Sequence, residues 1–253
     1  MKIFIKITFN GNSYRGYQVQ KNQPTIQEEL NRAAKKLFGF DCDITGCSRT
    51  DSGVHAQMFC ATISKANESG INCIIPIENV AIALNSYLPS NIAVYEASYI
   101  NDEFHARHDV ISKEYIYKIW ASQIRNPLLD GLVYSYPANI NDEAFANMQI
   151  AIKYFVGEYE FKSFMAKGSK IINTKRQIYY TDLKRDNNLI EFKICANGFL
   201  YNMVRIIVGT ILWVAEGKIS ADAIPAIIAS KDRKSAGMTA PPEGLYLSKV
   251  NYN

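Results

Sequence analysis

The alternation of apolar and polar residues in the first hundred positions constrains the fold most strongly. Ile3, Ile5 and Ile7 alternate with polar residues between Lys2 and Asn10, a period of two that predicts a half-buried strand. Further strands are predicted at 41–47, 57–64 and 91–99, and helices at 26–38 and 76–87. The resulting order, strand, helix, strand, strand, helix, strand, is typical of the split βαβ or ferredoxin-like arrangement with an antiparallel sheet.

The first of these helices has sequence signals at both ends. Thr25, with Glu28 three residues later, forms a capping box, which favours a helix that begins at Ile26. Gly39 predicts the end of the helix, because glycine readily adopts the left-handed conformation found at helix C-termini.

The second half of the chain shows the same mixture of strands and helices. Strands are predicted at 113–120, 176–185, 189–196 and 245–250, and helices at 141–155, 199–216 and 221–230. The two middle strands flank Asp186, Asn187 and Asn188, a turn sequence that predicts a hairpin. We therefore expect two α+β halves, residues 1–103 and 104–253, that meet in the polar stretch 102–110.

Composition limits the class of protein. The chain has 253 residues, of which 48% are hydrophobic, enough for one large core or two smaller ones. The longest apolar-rich stretch, residues 206–215, is shorter than the ~20 residues that a membrane-spanning helix needs. The first residues alternate like a strand and lack the apolar core of a signal peptide. These features predict a soluble cytoplasmic protein.

Cysteine and histidine spacing argue against a disulfide framework and a metal site. The five cysteines are odd in number and contain no C-x-x-C pair, so reduced and mostly buried thiols are expected. His105 and His108 lie three residues apart, but no third ligand is evident near them in the sequence. His55 is interpreted as a structural histidine with its hydrogen bonds satisfied.

Positive charge is concentrated in one segment. The net charge of +4 is only weakly basic and does not by itself indicate a nucleic-acid-binding protein. Residues 161–180, however, contain no acidic side chain and five basic ones, Lys162, Lys167, Lys170, Lys175 and Arg176. Gly168 and Ser169 interrupt the run. The segment is expected to be a flexible basic loop, suited to contact with phosphates or simply solvated.

The run from Ser48 to Ala56, SRTDSGVHA, has the composition of a catalytic loop. It lies between two predicted strands, and Asp51 stands two residues from Arg49, where a charge-assisted hydrogen bond favours an ionised carboxylate. Gly53 permits the positive φ that a sharp turn often needs. An ordinary Asx turn at Asp51 is the simpler alternative.

This run closely resembles the GRTDAGVHA loop of the TruA-type tRNA pseudouridine synthases, with Ser48 and Ser52 in place of the family's glycine and alanine. Other segments of the chain resemble family motifs in the same order: YRGYQVQ at 14–20, FHAR at 104–107, KEYIYKI at 113–119, YEFKSF at 159–164, NGFLYNMVRIIVGTIL at 197–212 and APPEGLYL at 240–247. Several ordered matches are far more specific than one short triplet.

The resemblance implies a fold and an activity. The pseudouridine synthase fold has two ferredoxin-like, RRM-like α+β halves joined through a central, mainly antiparallel sheet. The implied reaction converts uridine to pseudouridine in the anticodon stem-loop of tRNA, at position 38, 39 or 40 or several of these, after the base has flipped out of its stack. No cofactor is required, and the family forms homodimers.

The resemblance also implies three catalytic residues. Asp51 takes the position of the catalytic aspartate, which attacks the anomeric carbon or assists through a glycal route; both routes stay open. Tyr115 takes the position of the tyrosine that stacks on the uracil, although a core tyrosine in period with Tyr117 is the structural alternative. Arg205 takes the position of the arginine that pairs with the aspartate, and an unpaired charge in its apolar helix would be expensive.

Further residues are implied to bind the substrate. Leu245 matches the apolar wall of the uracil pocket. Arg49 is expected to contact RNA and to help eject the base, as the bidentate guanidinium suits phosphate, although a surface ion pair is the alternative. Lys167 and Lys170 of the basic loop are expected to contact the tRNA backbone.

Two other functions stay open at this point. A non-catalytic tRNA-binding or chaperone protein with the same fold would bind RNA and form no product. A carboxylate hydrolase of nucleosides or sugars would need a second positioned acid, and no Asp or Glu obviously pairs with Asp51 in the sequence.

Overall fold

Residues 1–169 and 171–252 are described by the structure, a computed structural model, and they form two units. The first unit contains residues 1–111 and the last strand from Tyr246 onwards, and the second unit contains Ser112–Leu245. The expected division at residues 103 and 104 stays a prediction.

The strands are β1 (Lys2–Phe9), β2 (Cys42–Gly46), β3 (His55–Lys65), β4 (Ile92–Ile100), β5 (Ser112–Ala121), β6 (Tyr134–Tyr136), β7 (Gly157–Glu160), β8 (Lys175–Asp186), β9 (Leu189–Ala196) and β10 (Leu245–Asn251). The α-helices are α1 (Ile26–Phe38), α2 (Ile77–Asn85), α3 (Asp142–Lys153), α4 (Met203–Ala215) and α5 (Ile224–Ser230). Short 3₁₀ turns occupy 127–129, 162–164, 221–223, 233–235 and 242–244.

The first unit has the predicted ferredoxin-like arrangement. Strand β1 lies between β4 and β3 and is antiparallel to both. One edge of β3 is shared, because β2 pairs antiparallel with its later residues and β10 pairs parallel with its first two, His55 and Ala56. Alternation along β1 gives the core Ile3, Ile5 and Ile7, which have no exposed surface.

Helix α1 begins and ends where the sequence predicted. Thr25 has an extended backbone, and its side chain accepts a hydrogen bond from the backbone N–H of Glu28. Gly39 adopts φ 78°, and its N–H donates to the carbonyl of Lys35, which closes the helix. The buried positions include Ile26 and Leu30, which face the sheet side of an amphipathic helix.

The second unit is built on an antiparallel sheet of β5, β9, β8 and β7, with the short β6 parallel to β5. The predicted hairpin is confirmed: β8 and β9 pair from Asp186 and Leu189, and Asn187 adopts φ 51° in the turn. The sequence did not predict β6 and β7, which have only three and four residues and too little alternation to be recognised.

Helix α4 is shorter than predicted. It begins at Met203 rather than Phe199, because Asn202 adopts a left-handed conformation with φ 59° that cannot continue a helix backwards. Ten of its thirteen residues are buried, so it is a core helix of the second unit. No helix in residues 1–169 or 171–252, α4 included, has both the length and the hydropathy to cross a membrane.

A backbone segment runs directly against α4 at Gly209. A Cβ on Gly209 would lie 1.9 Å from the carbonyl oxygen of Met238. The segment is fixed there by two hydrogen bonds, from Gly237 N to Thr210 Oγ1 at 2.9 Å and from Ala240 N to the Arg205 carbonyl at 3.1 Å. Helix and segment therefore meet backbone to backbone.

We expect Gly209→Ala to destabilise the protein, although alanine favours helix by about 1 kcal/mol over glycine. The new methyl group must displace the Met238 backbone, and overpacking of this kind typically costs about 1–3 kcal/mol. Chemical denaturation would measure the loss. Ile150→Ala, at a 46% exposed position of α3, is the control and should change stability little. A Gly209→Ala protein as stable as the wild type would contradict the close contact.

Candidate active site

Asp51 lies in a tight turn between β2 and β3. The Val54 N–H donates to the Asp51 carbonyl at 3.2 Å, and Gly53 inside the turn has φ 78°. The predicted need for positive φ at Gly53 is thus confirmed. Asp51 is half-buried, whereas Arg49 is exposed. A half-buried carboxylate on a closed turn can be both fixed in direction and reached by a substrate.

The turn is braced by the preceding loop, residues 11–17. Tyr17 N donates to the Thr50 carbonyl at 3.2 Å, and Gly53 N donates to the Tyr14 carbonyl at 3.3 Å. Ser52 Oγ donates to the same Tyr14 carbonyl at 3.2 Å. Ser52 replaces the alanine of the family string, and its hydroxyl adds one further bond to the brace.

Gly16 sets how close the brace approaches the Asp51 turn. Its φ is 96°, and a Cβ there would lie 2.4 Å from the Thr50 carbonyl oxygen. Only glycine satisfies both conditions. The YRGYQVQ motif is therefore a support for the Asp51 turn, a role that the sequence alone did not reveal.

The brace is in turn attached to the beginning of α1. Ile26 N donates to the Gly16 carbonyl at 3.2 Å, and Gln27 N donates to the Tyr17 carbonyl at 2.9 Å. These are first-turn amides, which have no partner within their own helix. Helix α1 thereby holds the brace, and the brace holds the Asp51 turn.

Aromatic and polar groups fill the space behind the turn. The rings of Tyr17 and Phe59 stack with centroids 4.3 Å apart. Burial raises the pKa of the Tyr17 hydroxyl, so that group stays neutral. Tyr17 Oη and Thr50 Oγ1 are buried and have no hydrogen-bond partner within residues 1–169 and 171–252.

His55 follows the turn and makes structural contacts. It is 1% exposed, its Nδ1 accepts from Gly11 N at 3.1 Å, and its ring stacks on Tyr246 with centroids 4.6 Å apart. These contacts tie the start of β3 to β10. His105, by contrast, has its pKa lowered, mainly by desolvation and also by the neighbouring His108. Among the described residues no cluster of His, Cys, Asp and Glu has the composition of a metal site.

The two tyrosines on one face of β5 have different surroundings. Tyr115 is 8% exposed, and its ring packs edge-on against Phe199 with centroids 5.1 Å apart. Tyr117 has no exposed surface, and its hydroxyl donates to the Pro241 carbonyl at 2.6 Å. Burial raises the pKa of Tyr117, which keeps the hydroxyl protonated as a donor. Tyr117 is thus a core residue that holds the segment before β10.

Arg205 is fixed in the first turn of α4. Its Nε donates to the Ala240 carbonyl at 2.6 Å, and its Nη1 donates to Asn202 Oδ1 at 2.8 Å. Both acceptors are neutral, so they orient the guanidinium without cancelling its charge. Gly209 lies one helical turn after Arg205 on the same face of α4. The two residues explain the pattern M-V-R-x-x-x-G at 203–209, because the arginine binds the Ala240 carbonyl and the glycine leaves room for the Met238 backbone.

Leu245 is held by the turn that precedes β10. It is 6% exposed. Gly244 before it packs so tightly that a Cβ would lie 2.7 Å from both the Tyr117 ring and the Lys118 carbonyl oxygen. The APPEGLYL motif therefore fixes Leu245 through backbone contact with β5.

The basic loop is only partly available to a ligand. Lys175 forms an ion pair with Glu158 at 2.6 Å, and Arg176 Nη1 donates to the carbonyls of Asn173 and Lys175. Burial lowers the pKa of Arg176. Lys167 is exposed, and Lys170 lies outside the described residues. Ala166 N donates to the Tyr201 carbonyl at 3.0 Å, which anchors the loop beside the start of α4.

The candidate residues thus fall into two groups. Asp51 and Arg49 belong to the first unit, and Tyr115, Arg205, Leu245 and Lys167 belong to the second. Sequence reasoning missed the supports of both groups, chiefly the Tyr14 and Tyr17 backbone and Asn202. Glycine at positions 16 and 209 is the sequence signal for such close backbone contacts.

Comparison with known proteins identifies relatives over the whole chain. The family model described as tRNA pseudouridine synthase matches residues 151–253. The protein named tRNA pseudouridine synthase A of Thermoanaerobacter sp. (strain X514) is 42% identical over 252 residues, 99% of each chain. A protein of the same name from Ruminiclostridium cellulolyticum is 40% identical over 99% of each chain. Another from Bacillus pumilus is 37% identical over 100% of each chain.

A solved structure titled "Crystal Structure of a Cbf5-Nop10-Gar1 Complex" also matches, with a TM-score of 0.38 and 10% identity over 96% of this chain and 57% of that one. This likeness is too weak to support an argument. The full-length relatives are sufficient: the chain belongs to the tRNA pseudouridine synthase A family, and it is a pseudouridine synthase of the mixed α+β fold that its Asp51 motif predicted.

Proposed function

We propose that this protein converts uridine to pseudouridine in the anticodon stem-loop of tRNA, at position 38, 39 or 40 or several of these, with Asp51 as the catalytic carboxylate. The observation that carries the proposal is the Asp51 turn, which is closed by the bond between Val54 and Asp51 and braced by Tyr14 and Tyr17. Full-length relatives named for the same reaction on tRNA support the substrate class.

The proposed chemistry is an isomerisation. The bond between N1 of uracil and the anomeric carbon breaks, and the base turns over. C5 of the base then bonds to the same carbon and loses its proton, and N1 ends protonated. The product has the same atoms as the substrate and there is no net gain or loss of electrons, so no redox or group-transfer cofactor is proposed. A carboxylate held in one direction can attack the anomeric carbon or assist elimination to a glycal, and the half-buried Asp51 suits both routes.

The proposed pocket combines charge with an aromatic face. Arg205 serves as the counter-charge of Asp51, which keeps the carboxylate ionised. The Tyr115 ring stacks on the flipped uracil, and Leu245 forms the apolar wall beside it. Both side chains are nearly buried, and Tyr115 is held by Phe199, so they present a preformed surface.

The proposed RNA contacts come from exposed cations. Arg49 stands two residues from Asp51 and is exposed, so it can bind a phosphate beside the flipped base. Lys167 and Lys170 contact the tRNA backbone from the basic loop. A homodimer acting in the cytoplasm completes the proposal, as the family resemblance implies.

Asp51→Asn is expected to abolish pseudouridine formation and to leave tRNA binding within about twofold, because the amide keeps the shape of the side chain and loses the nucleophilic charge. Pseudouridine mapping by selective chemical labelling of unmodified tRNA transcripts, together with a filter-binding assay, measures both. Asp41→Asn removes the same charge from the exposed surface pair with Lys35 and serves as the control. Normal product with Asp51→Asn would reject the assignment, and binding without product in the wild type would favour a non-catalytic tRNA-binding protein.

Arg205→Ala is expected to lower both stability and activity. The substitution removes the two bonds to Ala240 and Asn202, and hydrogen bonds from a charged donor contribute about 1.5–3 kcal/mol each. Activity falls further because Asp51 loses its counter-charge. Urea denaturation and the mapping assay would be run beside Arg32→Ala, which removes only a surface pair with Glu29. Unchanged melting and unchanged activity would remove Arg205 from the proposed site.

Lys167→Ala is expected to weaken tRNA binding a few-fold and to reduce the slope of log K against log salt by about 0.7–0.9, the value for one phosphate contact. The saturating rate of product formation should not change, because Lys167 positions the tRNA and does not touch the reacting base. Lys184→Ala, at an exposed position near the hairpin turn, is the control. A wild-type salt slope for Lys167→Ala would place the tRNA contact elsewhere.

A further inference from the structure

Asn202 uses its side chain in an unusual way for the residue before a helix. An asparagine at this position normally has an extended backbone and accepts a hydrogen bond from a backbone N–H two or three residues later, which contributes about 1 kcal/mol. Asn202 has φ 59° and ψ 14°, and its side chain makes no such bond. Its Oδ1 instead accepts from Arg205 Nη1 at 2.8 Å.

Helix α3 offers a direct comparison within the same chain. Asn141 precedes α3 with an extended backbone at φ −72°, and its Oδ1 accepts from Ala144 N at 2.8 Å. In both helices the partner lies three residues further on. The partner of Asn141 is a backbone amide, whereas the partner of Asn202 is a guanidinium. The Asn202 side-chain oxygen therefore accepts from a side chain and not from a backbone N–H of α4.

The left-handed conformation of Asn202 directs its side chain to Arg205. Asparagine is among the few residues besides glycine that tolerate positive φ. With this backbone, Ile206 N still bonds to the Asn202 carbonyl at 3.0 Å, so the helix begins normally while the side chain points along its first turn to Arg205. Asparagine thus combines tolerance of positive φ, which serine lacks, with a side-chain oxygen, which glycine lacks.

The guanidinium is held at two of its nitrogens. Ala240 accepts from Nε, and Asn202 accepts from Nη1, so rotation about the long arginine side chain is restricted from both sides. A guanidinium is a rigid plane, so bonds at two of its nitrogens fix the orientation of the whole group. The two bonds therefore give the Arg205 charge a fixed direction.

We propose that Asn202 is a positioning residue of the isomerisation, which holds the Arg205 guanidinium in the orientation that the catalytic carboxylate requires. This inference rests on the proposed function, because it takes Arg205 as the counter-charge of Asp51. Asn202 itself touches neither the base nor the sugar.

Asn202→Gly tests the proposal, because glycine keeps the positive φ and removes the side chain that bonds to Arg205. Asn187→Gly is the matched control, since Asn187 also has positive φ, at 51°, and its side-chain amide donates to Asp186 on the surface of the hairpin. Both variants would be compared in single turnovers of an unmodified tRNA transcript with enzyme in excess, which separates the saturating rate constant from the concentration that gives half-saturation.

The expected result is a saturating rate constant about tenfold to hundredfold lower for Asn202→Gly than for Asn187→Gly, the size of effect that misplacement by about 1 Å produces. Half-saturation should match the control, whereas Tm should fall modestly because the bond between Arg205 and Asn202 is lost. A purely structural residue would lower Tm or the folded fraction and leave the saturating rate constant intact. That result, a variant that does not fold, or a rate within twofold of the control would overturn the proposal.

The same experiment separates this inference from the proposed function. Asp51→Asn would be measured in parallel on the same transcript. An active Asp51→Asn protein would reject the proposed chemistry as a whole. An inactive Asp51→Asn protein beside a fully active Asn202→Gly protein would reject the positioning role alone.

Discussion

Backbone segments that approach each other where only glycine fits are the constraint on which both groups of candidate residues depend. In the first unit, Gly16 lets the loop at 11–17 lie against Thr50, next to Asp51. In the second, Gly209 lets the segment before β10 lie against α4, one turn from Arg205. Backbone contacts of this kind allow little adjustment, because interiors are packed as densely as organic crystals. The proposed catalytic side chains, Asp51 and Arg205, are therefore attached to a rigid main chain.

Neutral oxygens help to position both groups of candidate residues. The Arg205 guanidinium is held by a backbone carbonyl and an amide, and the Asp51 turn is held by main-chain carbonyls of Thr50 and Tyr14. A neutral acceptor satisfies a donor without neutralising its charge. Such preorganised dipoles are the means by which active sites stabilise charge without reorganisation during the reaction. The support of each group therefore preserves the electrostatics that the proposed reaction needs.

The sequence predicted the fold well where local signals were strong. Helix α1 has a cap at Thr25 and a stop at Gly39, and both were used as expected. The start of α4 was misplaced by four residues, because the apolar run from Phe199 gives no sign that Asn202 turns left-handed. Short strands such as β7, with four residues, lack enough periodicity to be recognised.

The sequence predicted candidate residues for the site but not the contacts that support them. The motif around Asp51 identified the carboxylate and the turn at Gly53. Nothing in the sequence showed that Asn202 binds Arg205, because an asparagine before a helix ordinarily predicts a backbone cap. Long-range backbone contacts, such as Tyr17 to Thr50, leave no periodic pattern either. They depend on tertiary structure, and only a glycine at the point of contact marks them.

The division of β3 between two partners has a consequence for how the protein is made. The start of this strand, His55 and Ala56, follows the Asp51 turn and pairs with β10, which comes after the entire second unit in the chain. The ribosome must therefore synthesise the second unit before the first can complete its sheet. Until then the strand edge beside the turn is open to other chains, a known route to aggregation. A sequence separation of this size also slows folding. The pairing of β10 with the start of β3 is consequently among the last contacts of the first unit to form during synthesis, and early interruption of translation leaves His55 and Ala56 without this neighbouring strand.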